Sequence, residues 1–323
     1  MGDPWAWAHE PSNDEEPIVD GDAVAAIIVC HNGASWLPRF LAAWDKGVVR
    51  PAITIAVDNG STDQTAEILL AAANRGSLDE VLTGQPMDGF GDAVDLARQR
   101  LAAISKTEIR WLWLLHDDSQ IRPDTLEKLL QSVRKDRSIS ITGPALLLPP
   151  VRLHPDRVAE SGMSITSTGS GAPNVESGDL AQRQLDSEPA LGISSCGMLI
   201  ALPAYDQLDG FSPEIPLHRN GTEIGWRANL SGLKVVTSPR ATMYHLERGR
   251  AEIRRSFHHN WPYLDRLCGM MLIQATYSGL GRLFGMIYLT VVGLLRSLWF
   301  LAGKQPARSW SELRATGAFL RSG

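Results

Sequence analysis

Cysteine is scarce in this chain. Cys30, Cys196 and Cys268 are three in 323 residues, odd in number and far apart. That count excludes a disulfide framework and a zinc-ribbon spacing, and it fits a reducing compartment. There is no dense Lys/Arg stripe, and the net charge is −5, so no nucleic-acid partner is expected. No repeat recurs along the chain, which excludes a solenoid. Residues 1–22 are acidic and contain proline, with neither a basic start nor an apolar centre. They read as a flexible tail, not a signal peptide.

What is present is a run of alternating strand and helix signals. Ala23 to Cys30 is apolar and β-rich, and Ser35 is placed to cap a helix carrying Leu37, Phe40, Leu41 and Trp44 at helical spacing. Ile53 to Val57 predicts a second strand. Ser61 and Gln64 then have capping-box spacing before Ala66, Leu69, Leu70 and Ala73. Trp111–Leu115 is apolar throughout, as suits a strand buried on both faces, and Pro123 opens a further helix at its first position. Such alternation implies a doubly wound, mostly parallel α/β sheet. Residues 145–190, rich in Pro, Gly and Ser, predict loops and a hairpin near Met163–Thr168.

The Trp111 strand ends in Asp117 and Asp118. Open α/β sheets bind ligands just beyond the carboxyl ends of their strands. Paired carboxylates there suit Mg²⁺ or Mn²⁺ bridging to a diphosphate, although the same Asp-Asp-Ser also serves as a helix cap.

Several short motifs occur in a fixed order: Ile27-Ile-Val-Cys-His-Asn-Gly33, Val57-Asp-Asn-Gly-Ser-Thr-Asp63, Asp88-Gly-Phe-Gly-Asp-Ala93, His116-Asp-Asp118, Ser195-Cys-Gly-Met198, Asp209-Gly-Phe211, Glu223-Ile-Gly-Trp-Arg227 and Pro239–His245. Over residues 23–246 this order resembles the inverting family 2 glycosyltransferases of GT-A fold, with actinobacterial rhamnosyl- and galactofuranosyl-transferase-like members the nearest in look. The resemblance implies a UDP- or dTDP-sugar donor and a glycan or lipid-linked acceptor of the cell envelope. It places the donor nucleotide at His31, Asn32, Asp58, Asn59, Gly60, Gly89, Gly91 and Asp117. Mn²⁺ or Mg²⁺ falls to Asp118 and His245, with His116 where the family has its first acid. An imidazole there shifts metal preference, since it is a poor Mg²⁺ ligand. Cys196, Gly197, Gly210, Trp226 and Arg227 fall on the acceptor side.

Inverting transfer needs a carboxylate to take the acceptor's proton. The usual base position falls on Gly221, which has no side chain. Glu223 is therefore either a substitute base or a holder of the acceptor site through Arg227 or a backbone amide, and Glu214 is a further carboxylate nearby. Three functional classes follow: a metal-dependent transferase, a catalytically silent domain that binds nucleotide-sugar or glycan as a scaffold, and a nucleotidyltransferase on the same sheet.

Residues 247–323 predict a helical C-terminal region. Leu283 to Gly303 is apolar apart from Arg296 and long enough to cross a bilayer. A spanning helix, a helix lying in the membrane surface and a buried helix of an oligomer all fit it. Membrane contact would put the protein at the cytoplasmic face of the plasma membrane. His258 and His259, in a basic and aromatic stretch, fit either anionic headgroups or an ordinary solvated surface. Oligomeric state is left open.

Overall fold

The computed structural model describes residues 21–85, 89–151, 153–182, 184–215, 218–246 and 261–322. The acidic start (residues 1–20), Asp88 and the His258–His259 stretch lie outside the described residues.

The first half is wound as the sequence suggests: β1 (Val24–Cys30), α1 (Leu37–Trp44), β2 (Ile53–Asp58), α2 (Thr65–Asn74), β3 (Glu80–Thr83), α3 (Phe90–Ile104) and β4 (Trp111–His116). There follow β5 (Ser119–Ile121), α4 (Thr125–Lys135), β6 (Ile139–Leu147) and three short strands: β7 (Val158–Glu160), β8 (Met163–Ile165) and β9 (Gly171–Pro173). The domain closes with β10 (Leu199–Ala201), α5 (Leu202–Gln207), α6 (Asn220–Leu230) and β11 (Lys234–His245). The large sheet runs β3-β2-β1-β4-β10-β6-β11-β5, with β7 added beside β6. β1, β2, β3 and β4 are parallel, as are β6 and β11, while β10 enters antiparallel between β4 and β6.

Alternation along β1 divides the core. Val24, Ala26, Ile28 and Cys30 face α1, α2 and α4, while Ala25 and Ile27 face the α3, α5 and α6 side, the two-residue period of a strand covered on both faces.

Three local expectations need correction. Ser35 does not cap α1: the turn closes on the Gly33 carbonyl, which accepts from Trp36 and Leu37. The Ser61/Gln64 capping box is absent at α2. Asp63 Oδ1 instead accepts from the Thr65 amide at 3.0 Å and from its hydroxyl at 2.5 Å, and Leu70 is exposed. Pro123 stands two residues before α4, where its carbonyl accepts from the Val48 amide.

The C-terminal region forms α7 (Trp261–Ala275), α8 (Leu280–Ala302) and α9 (Pro306–Ser322). α8 buries a line of Gly285, Leu289, Gly293 and Ser297. The small residues permit close approach: a Cβ on Gly293 would lie 2.2 Å from Thr316 Oγ1. The opposite face, Phe284, Ile287, Val291, Leu294, Leu298 and Leu301, is exposed at alternating three- and four-residue steps. Among the described residues α8 is the one helix long and apolar enough to cross a membrane. Arg296 is not left alone in that segment. Its guanidinium bonds Glu312 Oε1 of α9 at 2.9 Å, and Arg266 of α7 bonds Glu312 Oε2 at 2.9 Å. Burial pulls the Arg266 guanidinium below its ordinary pKa against the opposing pull of Glu312.

α7 is seated on the domain through the loop of the β8–β9 hairpin. A Cβ on Gly269 would lie 1.9 Å from the Gly169 carbonyl oxygen, so only glycine admits this contact. Arg219 adds an ion pair to Asp265 at 3.0 Å.

Candidate functional site

The carboxyl ends of β1, β2 and β4 lie in register, with Cys30 beside Asp58 and Val29 beside His116. The two loops that follow β1 and β2 brace each other. His31 Nδ1 meets the Asn59 carbonyl at 2.8 Å, the Asn32 amide donates to Ser61 Oγ at 2.9 Å, and the Thr62 amide donates to Asn32 Oδ1 at 2.8 Å. Asn32 sits at φ 47 and Gly60 at φ 68, backbone that asparagine and glycine tolerate best. Asp58, buried at the end of β2, accepts from the Ser61 amide at 3.1 Å through Oδ1. This rim is held before any ligand arrives, which is the arrangement a nucleotide site needs.

Asp117 is 1% exposed and accepts the His31 amide at 2.9 Å. A Cβ on Gly33 would lie 2.4 Å from its Oδ2. Its carboxylate ties β4 to the loop after β1. Gly89 begins α3, its amide bonded to Asp92 Oδ2 at 2.7 Å. Gly91 lies under Phe211, where a Cβ would stand 2.8 Å from Phe211 Cβ, so packing by itself requires the smallest residue there.

A second cluster forms where β10 and β11 reach the end of β4. The antiparallel pairing of Leu199 with Trp113 and the Gly197 amide bond to the Leu114 carbonyl at 2.8 Å bring residues 195–197 alongside His116. Gly197 takes φ 90 there, against Met243 and Pro144. β11 pairs antiparallel with β5, setting His245 opposite Ser119. His245 Nε2 is then 3.5 Å from Asp118 Oδ1, and the His116 and His245 rings meet edge-on with centroids 5.4 Å apart. Ser195 Oγ lies 3.1 Å from His116 Nε2, and Phe90 packs on the same ring at 4.8 Å. Donor atoms of His116, Cys196 and His245 all lie within 4.8 Å of one another. Burial, with the Asp118 charge nearby, pushes the Cys196 thiol well above its ordinary pKa. A carboxylate, two imidazoles and a thiol at one strand end are a donor set that fits a divalent cation. The three expected ligands, Asp118, His245 and His116, stand together.

On the acceptor side the arrangement departs from expectation. α6 lies so close to residues 191–195 that a Cβ on Gly221 would fall 1.8 Å from the Ile193 carbonyl oxygen. The base position is therefore filled by backbone. Glu223 is buried, Arg227 bonds both its oxygens, and the Ser212 amide lies 3.4 Å from Oε2. Arg227 also bonds the carbonyls of Leu208 and Gly210, the latter at 2.7 Å. Glu223 thus holds the 208–212 loop to α6. Gly210, at φ 66, turns under Asp95 and Tyr205. Trp226, partly buried, packs against the cluster of Met270, Ile273, Leu289 and Phe319.

What the sequence reading missed is the placement of Cys196 and Ser195 beside two histidines. Its only local signal was Ser195-Cys-Gly197 directly before an apolar strand, and the pairing that gives it meaning is nonlocal.

Residues 25–146 match the model of glycosyl transferase family 2. The N-acetylglucosaminyl-diphospho-decaprenol L-rhamnosyltransferase of Mycobacterium tuberculosis is 24% identical over 236 residues, 69% of this chain and 76% of that protein. Among solved structures, S. aureus TarS 1–349 in complex with UDP-GlcNAc has a TM-score of 0.54 at 16% identity, covering 93% of this chain and 81% of its own. GalNAc-T7 with UDP, GalNAc and Mn²⁺ has a TM-score of 0.53 at 15% identity over 69% of this chain. The present chain spans 43% of the GalNAc-T7 chain. At such identities these two structures speak to the fold, which is GT-A.

Proposed function

On the match of residues 25–146 to the glycosyl transferase family 2 model, we propose a family 2 transferase that moves a sugar, with inversion, from a UDP- or dTDP-sugar to a polyprenyl-diphosphate-linked or growing envelope glycan. The observation that carries it is the joining of the braced β1 and β2 loops to the Asp118–His245 pair at one edge of the sheet. The rhamnosyltransferase relative, named for a diphospho-decaprenol substrate, supports the acceptor class.

In this reading Asp58 accepts from the imide N–H of the pyrimidine base. Gly60 lets the backbone come close to it. Asp118 and His245 hold a divalent cation, Mn²⁺ in preference to Mg²⁺, and that ion offsets charge on the departing diphosphate. Glu223 and Arg227 shape the acceptor wall, and proton removal falls to a group other than residue 221.

The test is thermal shift, because a ligand of the folded state raises its stability by mass action. UDP or dTDP with Mn²⁺ is expected to raise Tm. Asp118→Ala should weaken the metal-dependent part of binding roughly ten- to a hundredfold. No shift with either nucleotide would overturn the donor assignment. Donor turnover with lipid-linked acceptors separates the transferase from a silent binding domain, a reading favoured only by the backbone-filled base position. Binding without turnover over the acceptor panel would favour the silent domain.

We place the domain at the cytoplasmic face of a membrane, on the exposed apolar face of α8. Residues 280–322 carry six basic side chains against one acid, Glu312, in a chain whose net charge is −5. An apolar helix face with a basic surround suits an anionic bilayer surface. Ile287→Ser with Leu298→Ser, both at exposed positions, is expected to lower partition onto anionic phospholipid vesicles about tenfold or more. Carbonate washing distinguishes a stripped surface helix from a retained span. Truncation near residue 280 is the poorer experiment, since it uncovers Met270 and Ile273 and takes Glu312 from Arg266.

A further inference from the structure

The metal cleft contains a donor that no oxygen-ligand site would need. His116 ends β4, Cys196 precedes β10 and His245 ends β11, so three separate strands fix their separation, and their donor atoms all fall within 4.8 Å. Cys196 is fully buried, whereas His116 and His245 are partly exposed. Ser195 Oγ orients the His116 ring at 3.1 Å, and Asp118 stands 3.5 Å from His245 Nε2. Outer partners of this kind set ring orientation at metal sites.

We propose that His116, Cys196 and His245, with Asp118 beside them, form a thiolate-containing site for a borderline-soft divalent ion such as Zn²⁺ or Co²⁺. Mg²⁺ demands near-octahedral oxygen ligation and keeps its waters. Two imidazoles and a thiolate instead match ions that accept nitrogen and sulfur at four-coordinate sites. Cys196 loses its proton to solvent as its sulfur takes up the ion. The inference deepens the transferase reading by changing the ion that Asp118 and His245 would share, but the site rests on the side chains themselves.

The experiment is a Co²⁺ titration of the full-length protein without nucleotide, followed by absorption spectroscopy. A thiolate-to-cobalt charge-transfer band in the near ultraviolet is expected, together with the intense visible bands of four-coordinate cobalt. Mg²⁺ in large excess should leave both in place, and Zn²⁺ should remove them. Cys196→Ser, nearly equal in volume, should abolish the charge-transfer band and weaken Zn²⁺ competition roughly ten- to a hundredfold. If that variant does not fold, the wild-type spectrum decides alone, with X-ray absorption reporting sulfur among the ligands. Cobalt bound with no sulfur signature, a spectrum unchanged in Cys196→Ser, or displacement by Mg²⁺ would each overturn the site. A Tm rise with UDP and Mn²⁺ in the absence of any thiolate band would sink this inference and leave the transferase standing. A thiolate band with no nucleotide binding would do the reverse.

Discussion

Gly221→Ala is expected to cost about 3 kcal/mol or more of folding stability, measured as the shift in chemical denaturation midpoint. The new methyl would lie 1.8 Å from the Ile193 carbonyl oxygen and 3.0 Å from the Ser195 amide nitrogen. Backbone atoms cannot swing aside as a flexible side chain does, so α6 must lift from residues 191–195, and overpacking of that kind is strongly destabilising. Gly225, one turn on, is also held close, with a Cβ there 2.5 Å from the Leu191 carbonyl oxygen, so a tilt of the helix about that point meets a second backbone contact. The contrast is Gly317→Ala in α9, where nothing lies within 4 Å. That change is expected to be neutral or to stabilise by up to about 1 kcal/mol through helix propensity. Equal losses in both variants would refute the packing argument. The same collision makes Gly221→Asp useless as a restoration of a catalytic base: it would unfold the wall on which the base should stand.

Glu312→Gln is expected to cost about 3–5 kcal/mol, the range for removing one partner of a buried ion pair. Arg266 and Glu312 are each about 5% exposed, and the substitution strands one guanidinium in the interior of α7, α8 and α9. Arg296 is a third exposed at its side chain, so Arg296→Met should cost no more than about 1 kcal/mol. A Glu312→Gln variant as stable as wild type would show that the triad contributes nothing net to stability.

The strand–helix alternation of the first half was legible because each buried strand reads as a continuous apolar run and each helix shows its stripe. The positions of Asp58 and Asp118 at strand ends followed from that alone. Cap chemistry was less legible. Ser35 and Ser61 have the right spacing, yet Ser61 is used across space by Asn32 and Asp63 does the local work, a competition that sequence spacing does not contain. Glu223 reads as either base or holder; its pairing with Arg227 one helical turn away is a spacing the sequence contains, whereas its burial is not. The packing of Trp226 and Gly91 was not legible, because their neighbours, Phe319 and Phe211, come from distant segments. Least legible was the cluster around Cys196. It exists because β10 runs antiparallel between two parallel neighbours, and that insertion is a choice of topology.

The contact of Gly269 with Gly169 has a consequence for reach. α7 meets the hairpin loop through Gly269 on Gly169 and through Arg266 on the Thr168 carbonyl, while its Leu267, Met270 and Ile273 enter the cluster shared with α8 and α9. On the proposed orientation, with α8 on the lipid, α7 is a short rigid strut whose two attachments lie together between Arg266 and Ile273. A rigid strut sets one standing height for the cleft above the lipid headgroups. Acceptors would then be sorted by how far their free hydroxyl projects from the bilayer, a form of length selection that requires no side chain to recognise the sugar.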